Sequence, residues 1–180
     1  MALLQDHASR YEVPAKAGRE PAHERRDIQR AIDLWQQNVS EPGCPPAFGT
    51  FDFSPMKGDW AYRFLICSDE TAANSAFLIY GSKFAGLLKL PKARLGVASI
   101  EQLPDRYRHL FVTGCSKAMA QQAPARLSGS CKHESQIELY RAVFMPIMLQ
   151  PHWSNQLILG SLDFRAADAA FTAPRRAAAG

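Results

Sequence analysis

One stretch, Gln136 to Leu149 (QIELYRAVFMPIML), constrains the fold more than any other part of this sequence. Its composition is that of a long β-strand with one arginine, Arg141, in its middle. Because the side chains of a strand alternate between its two faces, apolar residues cover both faces here. Such a strand has to be covered on both sides, which predicts a central position in a sheet. One face carries Ile137, Leu139, Val143, Met145 and Ile147, and the other carries Tyr140, Ala142, Phe144 and Met148.

The composition is that of a single globular domain. The chain has 180 residues, 47% of them hydrophobic and 21% charged, which is enough for a sizeable core. A net charge of +4 without a basic stripe does not predict nucleic-acid binding. No apolar run reaches the roughly 18 residues of a membrane span, and the N-terminus lacks the apolar segment of a signal peptide. We therefore expect a cytoplasmic protein that binds neither nucleic acid nor membrane.

The first periodic segment is an amphipathic helix that begins at Asp27. Ile28, Ile32 and Trp35 recur at helical spacing, and Asp27 can cap the N-terminus of the helix. An apolar stripe of this kind either packs on the sheet of its own domain or forms the contact of a homodimer. Residues 1–26 lack this periodicity and are expected to form a flexible arm.

The later segments predict a sheet interrupted by a helical middle. Strand patterns at 62–68 and 76–80 form a hairpin, and a capping box at Ser99 opens a helix that extends to about Gln121. Strands at 124–133, 136–149 and 156–165 then follow one another as a meander. The prediction is an α+β domain over residues 27–166, with a five-stranded antiparallel sheet, helices on one face, and the N-terminal helix on the other face or at a dimer interface. The Ala-rich stretch 167–180 is expected to be a flexible tail.

This order of elements resembles that of the PAS domain, and in particular of small stand-alone bacterial PAS proteins. The resemblance rests on a helix with Trp35, the DFSP turn at 52–55, the pair Tyr62-Arg63 and the FMPIM run at 144–148, and it covers residues 27 to 166. A glycine often follows the strand arginine in this family, whereas FLICSDE follows Arg63, so the first hairpin is expected to differ. The resemblance implies a sensory or protein-interaction module and does not specify a ligand.

Signatures of enzymes and of common cofactors are missing from the sequence. It contains no GxSxG, GxGxxG, P-loop or HExxH motif, so catalysis is not expected. His109, a candidate haem ligand on the long helix, falls about 150° from the buried stripe. The Asn-Cys-Arg string that would resemble a flavin photosensor does not occur, and the four cysteines lack metal-binding spacing. No cofactor and no metal are expected.

A small apolar or amphiphilic ligand between the sheet and the middle helices is the remaining candidate for binding. The alternative is that the side chains of this region simply fill the core. Arg63 and Arg141 are informative, because a charge within an apolar strand needs a partner. Either arginine could hold a ligand carboxylate or phosphate, extend to the surface, or pair with Asp52, Asp59, Glu138 or Asp163. The candidate ligand-binding residues are Arg63, Phe64, Ile79, Phe84, Leu110, Phe111, Cys115, Arg141 and Met145.

The sequence thus predicts a PAS-type sensory or regulatory domain that binds a small organic ligand and signals through contact with a partner protein. An alternative of the same fold is a ligand-free dimerisation or interaction module that uses Ile28, Ile32 and Trp35 as its interface. A third hypothesis, from a different class, is an enzyme or lipid-carrier relative with an α+β cavity.

Overall fold

The computed structural model describes residues 22–57, 60–69, 72, 74–90, 98–133, 136–150 and 155–166. In this part of the chain three α-helices accompany one sheet: α1 (Ala22–Gln37), α2 (Ser82–Leu88) and α3 (Asp105–Gln121). The strands are β1 (Arg63–Ser68), β2 (Ala76–Tyr80), β3 (Ala98–Ser99), β4 (Ala125–His133), β5 (Gln136–Met148) and β6 (Gln156–Ala166). None of the helices described is long and apolar enough to cross a membrane. Most of the predicted arm, residues 1–21, and the predicted tail, residues 167–180, lie outside the described residues.

The six strands form one antiparallel sheet in the order β3-β2-β1-β6-β5-β4. The prediction of five strands was wrong, because Ala98–Ser99 pairs with Ala76 and Phe77 of β2 and adds a short edge strand. The hairpin β1-β2 and the meander β4-β5-β6 lie where the sequence placed them. This mixed architecture is compatible with a PAS-like fold.

Strand β5 lies between β4 and β6, as a strand with two apolar faces predicts. Alternate residues of β5 belong to two buried clusters on opposite sides of the sheet. Helices α2 and α3 cover the first cluster, which we call the aromatic core, and α1 covers the second, the α1-face core. The aromatic core includes Phe64, Phe77, Tyr80, Phe84, Phe111 and Phe144, and the α1-face core includes Leu34, Trp35, Leu65, Val143, Met145 and Ile147.

Helix α1 is held on its own sheet by the residues that the sequence offered for a dimer contact. Ile32 and Trp35 are buried in the α1-face core, and Ile28 packs against it. The indole nitrogen of Trp35 donates a hydrogen bond of 2.6 Å to the carbonyl oxygen of Pro146. Pro146 has no amide hydrogen to donate, but β4 begins with Ala125 opposite Phe144 and does not reach Pro146, so no bond to β4 is lost. The contact joins two of the motifs that carry the PAS resemblance.

The DFSP turn extends the cover of this face. Asp52 accepts a hydrogen bond of 2.8 Å from the amide of Ser54 and so begins the 3-10 turn Ser54–Met56. The hydrogen bonds from Ser54 lower the pKa of the Asp52 carboxyl. Met56 is buried in the α1-face core, and Asn38, just after α1, accepts a bond of 2.8 Å from the amide of Asp52. The DFSP turn is therefore hydrogen-bonded to the segment that follows α1 and packed against the sheet.

The long middle helix begins later than the capping box suggested. Ser99 accepts a hydrogen bond from the amide of Glu101 and caps only a 3-10 turn, Ile100–Gln102. Pro104 disfavours a helical conformation of the residue before it, and Leu103 accordingly has an extended backbone with ψ 146°. Helix α3 then starts at Asp105.

Candidate functional site

Aromatic rings occupy the space between the sheet and helices α2 and α3. Phe64 of β1 lies among them, with the ring centroids of Phe84, Phe111 and Phe144 at 5.0, 5.3 and 5.4 Å. Phe77 follows at 6.1 Å. Centroid distances in this range are those of rings in direct contact. The rings therefore occupy the space between the sheet and the helices in which a ligand was predicted. This arrangement corresponds to the alternative in which the side chains of this region fill the core.

Only part of the predicted ligand wall is brought together. Phe64, Phe84, Leu110, Phe111 and Cys115 are all buried in the aromatic core. Whether these residues contact a ligand stays a prediction.

Ile79 does not belong to this wall, and its predicted placement was wrong. Strand β2 contains a β-bulge: Leu65 pairs with Ile79 but the next residue of β1 pairs with Phe77, which leaves Leu78 as the extra residue. Phe77 and Tyr80 therefore both belong to the aromatic core. Leu78 and Ile79 are 44% and 51% exposed.

Met145, Arg63 and Arg141 lie on the other face of the sheet. Met145 is buried in the α1-face core. Arg63 shares its face with Leu65, two residues along β1, and Arg141 shares its face with Val143, two residues along β5. The expectation that Met145 lines a wall in the aromatic core was wrong, because alternate residues of a strand point to opposite faces. For Arg63 and Arg141 the sequence had left ligand contact, surface exposure and charge pairing open.

The strand register places an acidic residue beside the two arginines. Arg141 lies directly opposite Asp163 of β6, and Arg63 lies opposite Ser161, two residues from Asp163 on the same face. Arg63 is 5% exposed, so its charge depends on polar neighbours. Asp59, another partner suggested by the sequence, lies outside the described residues. These positions favour charge pairing on the α1 side of the sheet over contact with a ligand in the aromatic core.

A polar group of side chains lies at one end of the aromatic core, where the first turn of α3 meets β5. The hydroxyl of Tyr107 donates a hydrogen bond of 2.5 Å to Oε2 of Glu138. The guanidinium carbon of Arg106 lies 4.5 Å from the centroid of the Tyr107 ring, and Phe164 of β6 packs against the same ring at 4.9 Å. The pKa of Tyr107 is raised, mainly by burial and to a smaller extent by the hydrogen bond to Glu138. Glu138, Arg106 and Phe164 are half-buried, so the group reaches solvent.

Cys131 and Tyr140 border this group. Cys131 lies opposite Glu138 in the β4-β5 pair, and its thiol donates to the carbonyl oxygen of Arg106 at 3.5 Å. Burial raises the pKa of Cys131 to about 11, so the thiol is protonated near neutral pH and is a poor nucleophile and metal ligand. Tyr140 lies over Gly129, where a Cβ would come within 2.7 Å of the tyrosine hydroxyl oxygen. Among the described residues, no three His, Cys, Asp or Glu side chains are grouped to hold a metal ion.

Sequence reasoning missed Tyr107 and Glu138 as site residues. Tyr107 counted only as part of the buried helical stripe, and Glu138 only as a partner for an arginine. The alternation of β5 contained the missing signal, because Glu138 shares its face with Tyr140 and Ala142. A carboxylate on the apolar face of a central strand needs a hydrogen-bond donor, and a buried tyrosine is a natural one.

No family model matches the chain, and no curated protein matches it. Nine chains among the solved structures match. One of them comes from the study "Structural Biochemistry of a Fungal LOV Domain Photoreceptor Reveals an Evolutionarily Conserved Pathway Integrating Blue-Light and Oxidative Stress", with 10% sequence identity and a TM-score of 0.37. The match covers 74% of this chain and 91% of that chain. A likeness at this level establishes neither a family nor a function.

Proposed function

We propose that the chain is a cytoplasmic PAS-type sensory or regulatory domain, in which the aromatic core responds to a small organic ligand and the α1 side of the sheet passes the response to a partner protein. The observation that carries this proposal is that one strand, β5, contributes to both cores. Phe144 contacts Phe64 in the aromatic core, while its neighbours Val143 and Met145 pack in the core beneath α1. Any displacement of β5 by a ligand therefore also changes the surface on which α1 rests.

The motif contacts support the PAS type independently of any ligand. The three motifs with described roles, the Trp35 helix, the DFSP turn and the proline of β5, all help to build the α1 face. The helix, hairpin, helical middle and three-strand meander follow one another in the order on which the resemblance to the PAS domain rests, with β3 as an additional edge strand. A fold by itself does not determine which ligand a protein binds, so the ligand has to be tested directly.

Native mass spectrometry of the protein purified from its own host tests the sensory proposal. We expect a stoichiometric mass increment of a small molecule that disappears when the same sample is denatured. The denatured spectrum serves as the control, because it separates a bound ligand from a covalent modification. A protein that is empty in every preparation, from cells grown under several conditions, contradicts ligand sensing.

A second candidate is a ligand-free interaction module of the same fold, and two observations favour it. The rings already fill the core between the sheet and the helices, and Leu78 and Ile79 expose apolar surface at 44% and 51%. Strand β2, Ala76–Tyr80, carries no charged residue, so its face can meet the same face of a second copy without repulsion. This candidate predicts an empty protein whose mass in solution rises with concentration.

A further inference from the structure

The two edges of the sheet differ in how far they are covered. At one edge, β2 is covered by the short strand Ala98–Ser99, and the amide of Ile100 bonds to the carbonyl of Ser75 at 3.0 Å. The end of β5 that extends beyond β4 is covered as well, since the amide of Met148 bonds to the carbonyl of Pro46 at 3.0 Å. The outer side of β4, by contrast, meets no strand and forms no backbone hydrogen bond in the part of the chain that the structure describes.

Strand β4 is a long and regular edge. It pairs with β5 over nine residues, Ala125 to His133, without a shift of register, and it contains no proline. Nine extended residues span about 30 Å. An uninterrupted edge of this length presents a row of peptide N–H and C=O groups with which a further strand can form hydrogen bonds.

The side chains of β4 differ between its two faces. Arg126 lies opposite Val143 and therefore belongs to the α1 side of the sheet. Ser128 and Ser130 follow on the same side, and all three side chains are exposed. Leu127 packs against the aromatic core on the other side. An added strand would therefore meet polar side chains on one face and an apolar side chain on the other.

The charge of β4 favours one kind of partner over another. The strand contains Arg126, Lys132 and His133 but no aspartate or glutamate. If β4 paired antiparallel over its full length with the same strand of a second copy, Arg126 would lie opposite Lys132 of the second copy. Like charges directly opposite each other destabilise a pair of strands, whereas an acidic residue at this position is attracted. The edge is therefore matched to an acidic strand and not to its own copy.

Arg126 also connects this edge with α1. Its guanidinium donates a hydrogen bond of 2.8 Å to Oε1 of Gln29, and the Gln29 amide donates in turn to Asp33 at 2.7 Å. An arginine forms strong charge-assisted hydrogen bonds with a carboxylate. A carboxylate bound by Arg126 would therefore lie beside α1, on the side of the sheet that we propose to pass the response to a partner protein.

We propose that the outer edge of β4 binds an extended acidic segment of a partner protein, which adds to the sheet as a further strand and places a carboxylate beside Arg126. This inference rests on the proposed sensory function and names the form of its protein partner. The backbone of β4 supplies the hydrogen bonds, and Arg126 supplies the preference for an acidic residue.

The probe for this contact is a capped nine-residue peptide with valine at the odd positions, threonine at the fourth and sixth, and glutamate at the second and eighth. Because its sequence reads the same in both directions, a glutamate meets Arg126 whether the peptide binds parallel or antiparallel to β4. Binding to the full-length chain is measured by titration calorimetry. We expect the amides of residues 125–131 to exchange more slowly in the complex, while those of β6, which is already paired on both sides, are unchanged.

Two changes of the peptide separate the roles of backbone and charge. Methylation of its backbone nitrogens, either at the odd or at the even positions, keeps the side chains and removes the donors of one edge of the peptide. Only the set whose amides face β4 should weaken binding, by at least about 10-fold because several hydrogen bonds are lost, and the other set is the matched control. Lysine in place of both glutamates should weaken binding about 3- to 10-fold.

Two variants of the protein test the role of Arg126. Arg126→Glu should reverse the preference, so that the lysine peptide binds more tightly than the glutamate peptide. Lys83→Glu makes the same change of charge at an exposed position of α2, which packs against the rings of Phe64 and Phe77 in β1 and β2. This control should bind both peptides as the parent does, because β5 and β6 separate β1 from β4.

Several outcomes overturn the inference. Absence of binding at millimolar concentration shows that the edge does not accept a strand, equal affinity of the two methylated peptides shows that the backbone of β4 is not used, and an unreversed preference in Arg126→Glu shows that its charge is not recognised. Slow exchange of every β4 amide in the peptide-free protein shows that the edge is already occupied. The occupant is then a second copy if this protection rises with protein concentration, and another part of the same chain if it does not.

The failure of this inference is distinguishable from that of the sensory proposal. A small molecule in the native mass spectrum without peptide binding keeps ligand sensing and rejects the strand contact. An empty native spectrum with peptide binding rejects ligand sensing and keeps the strand contact, which then belongs to an interaction module.

Discussion

At the scale of single residues, two glycines set how closely the aromatic rings approach the backbone. A Cβ on Gly114 of α3 would lie 2.2 Å from the Phe144 ring, and one on Gly160 of β6 would lie 2.1 Å from the Phe64 ring. Distances this short force the ring or the backbone to move. Glycine at these two positions therefore allows α3 and β6 to pack closely against the Phe144 and Phe64 rings.

Replacing Gly114 with alanine is expected to lower the free energy of unfolding by about 1–3 kcal/mol, the usual cost of overpacking a core. Gly86 is the matched control, since it also lies in a helix but a Cβ there meets nothing within 4 Å. Gly86→Ala should raise the free energy of unfolding by up to about 1 kcal/mol, because alanine restricts the unfolded chain. Urea denaturation of both variants measures the difference, and a Gly114→Ala protein as stable as the parent contradicts the tight ring contact.

The buried thiols provide a second prediction at this scale. Burial raises the pKa of Cys115 to about 12 and that of Cys131 to about 11, whereas Cys44 is exposed. At pH 8 iodoacetamide should modify both buried cysteines at least about 100-fold more slowly than Cys44, since the thiolate is the nucleophile. Mass spectrometry of timed digests measures the three rates.

The thiols of Cys115 and Cys131 also predict that the stability of the protein decreases at high pH. An unfolded cysteine has a pKa of about 8.5, so the folded state keeps protons that the unfolded state releases above this pH. The stabilisation is present in full below about pH 8.5 and is lost as the pH rises towards 11 and 12. Equal labelling of Cys44 and Cys115 at pH 8 in folded protein contradicts the burial of that thiol.

At the scale of elements, the position of α1 depends in part on a buried polar contact within an apolar interface. Trp35 donates its indole hydrogen to Pro146, whose carbonyl oxygen is buried with it. Trp35→Phe keeps an aromatic ring but leaves that oxygen without its donor, which should cost about 1–3 kcal/mol. Gln36→Ala, at an exposed position of the same helix, should change stability by less than about 0.5 kcal/mol.

The measurement combines urea denaturation with amide exchange of α1. In Trp35→Phe the amides of α1 should exchange faster, while those of α3 are unchanged, because α1 contributes to only one of the two cores. If exchange in α1 equals that of the parent, the Trp35 contact does not hold the helix in place.

The same elements show how far sequence patterns reach. The period-two pattern of β5 and the helical spacing of Ile28, Ile32 and Trp35 were sufficient to predict the strand, the helix and a cover on each face. They were sufficient because burial on a regular element repeats with the period of that element. The bulge at Leu78 defeated the same reasoning in β2, since one inserted residue reverses the face of every residue that follows.

The candidate site was less predictable than the elements. Leu110, Phe111 and Cys115 came together because they lie on the predicted apolar stripe of the middle helix. Met145 was assigned to the wrong side of β5, although the alternation placed it with Val143. The Tyr107–Glu138 bond joins residues far apart in sequence, and its existence depends on where α3 begins. That start is set by Pro104, whose effect competes with the capping box at Ser99.

At the scale of the whole molecule, the sheet separates two cores that share their central strands. Residues 157 and 159 of β6 and residues 143 and 145 of β5 face α1, while 158 and 144 face the aromatic core. On the α1 face, the cover given by α1 and the DFSP turn stops short of Leu78 and Ile79, which remain exposed. This uncovered part of the sheet is where contact with another molecule can be tested without disturbing either core.

Ile79→Lys is expected to weaken self-association of the chain, if the β2 face is its contact with a second copy. A lysine on each side of a two-fold contact places like charges together, and Ile79 is exposed enough for the monomer to tolerate the change. Trp35→Glu is unsuitable for this purpose, since Trp35 is buried in the α1-face core and its loss would release α1. Ser116→Lys, at an exposed position of α3, adds the same charge away from β2 and serves as the control.

Sedimentation velocity over a range of concentrations gives the weight-average mass of each protein. The parent and Ser116→Lys should increase in mass with concentration, whereas Ile79→Lys should stay a monomer with an unchanged urea midpoint. The same mass for all three proteins at every concentration excludes the β2 face as a contact between copies. Because Leu78 and Ile79 are exposed and lie on β2 rather than β5, that result would leave the proposed coupling of the aromatic core to α1 through β5 untouched.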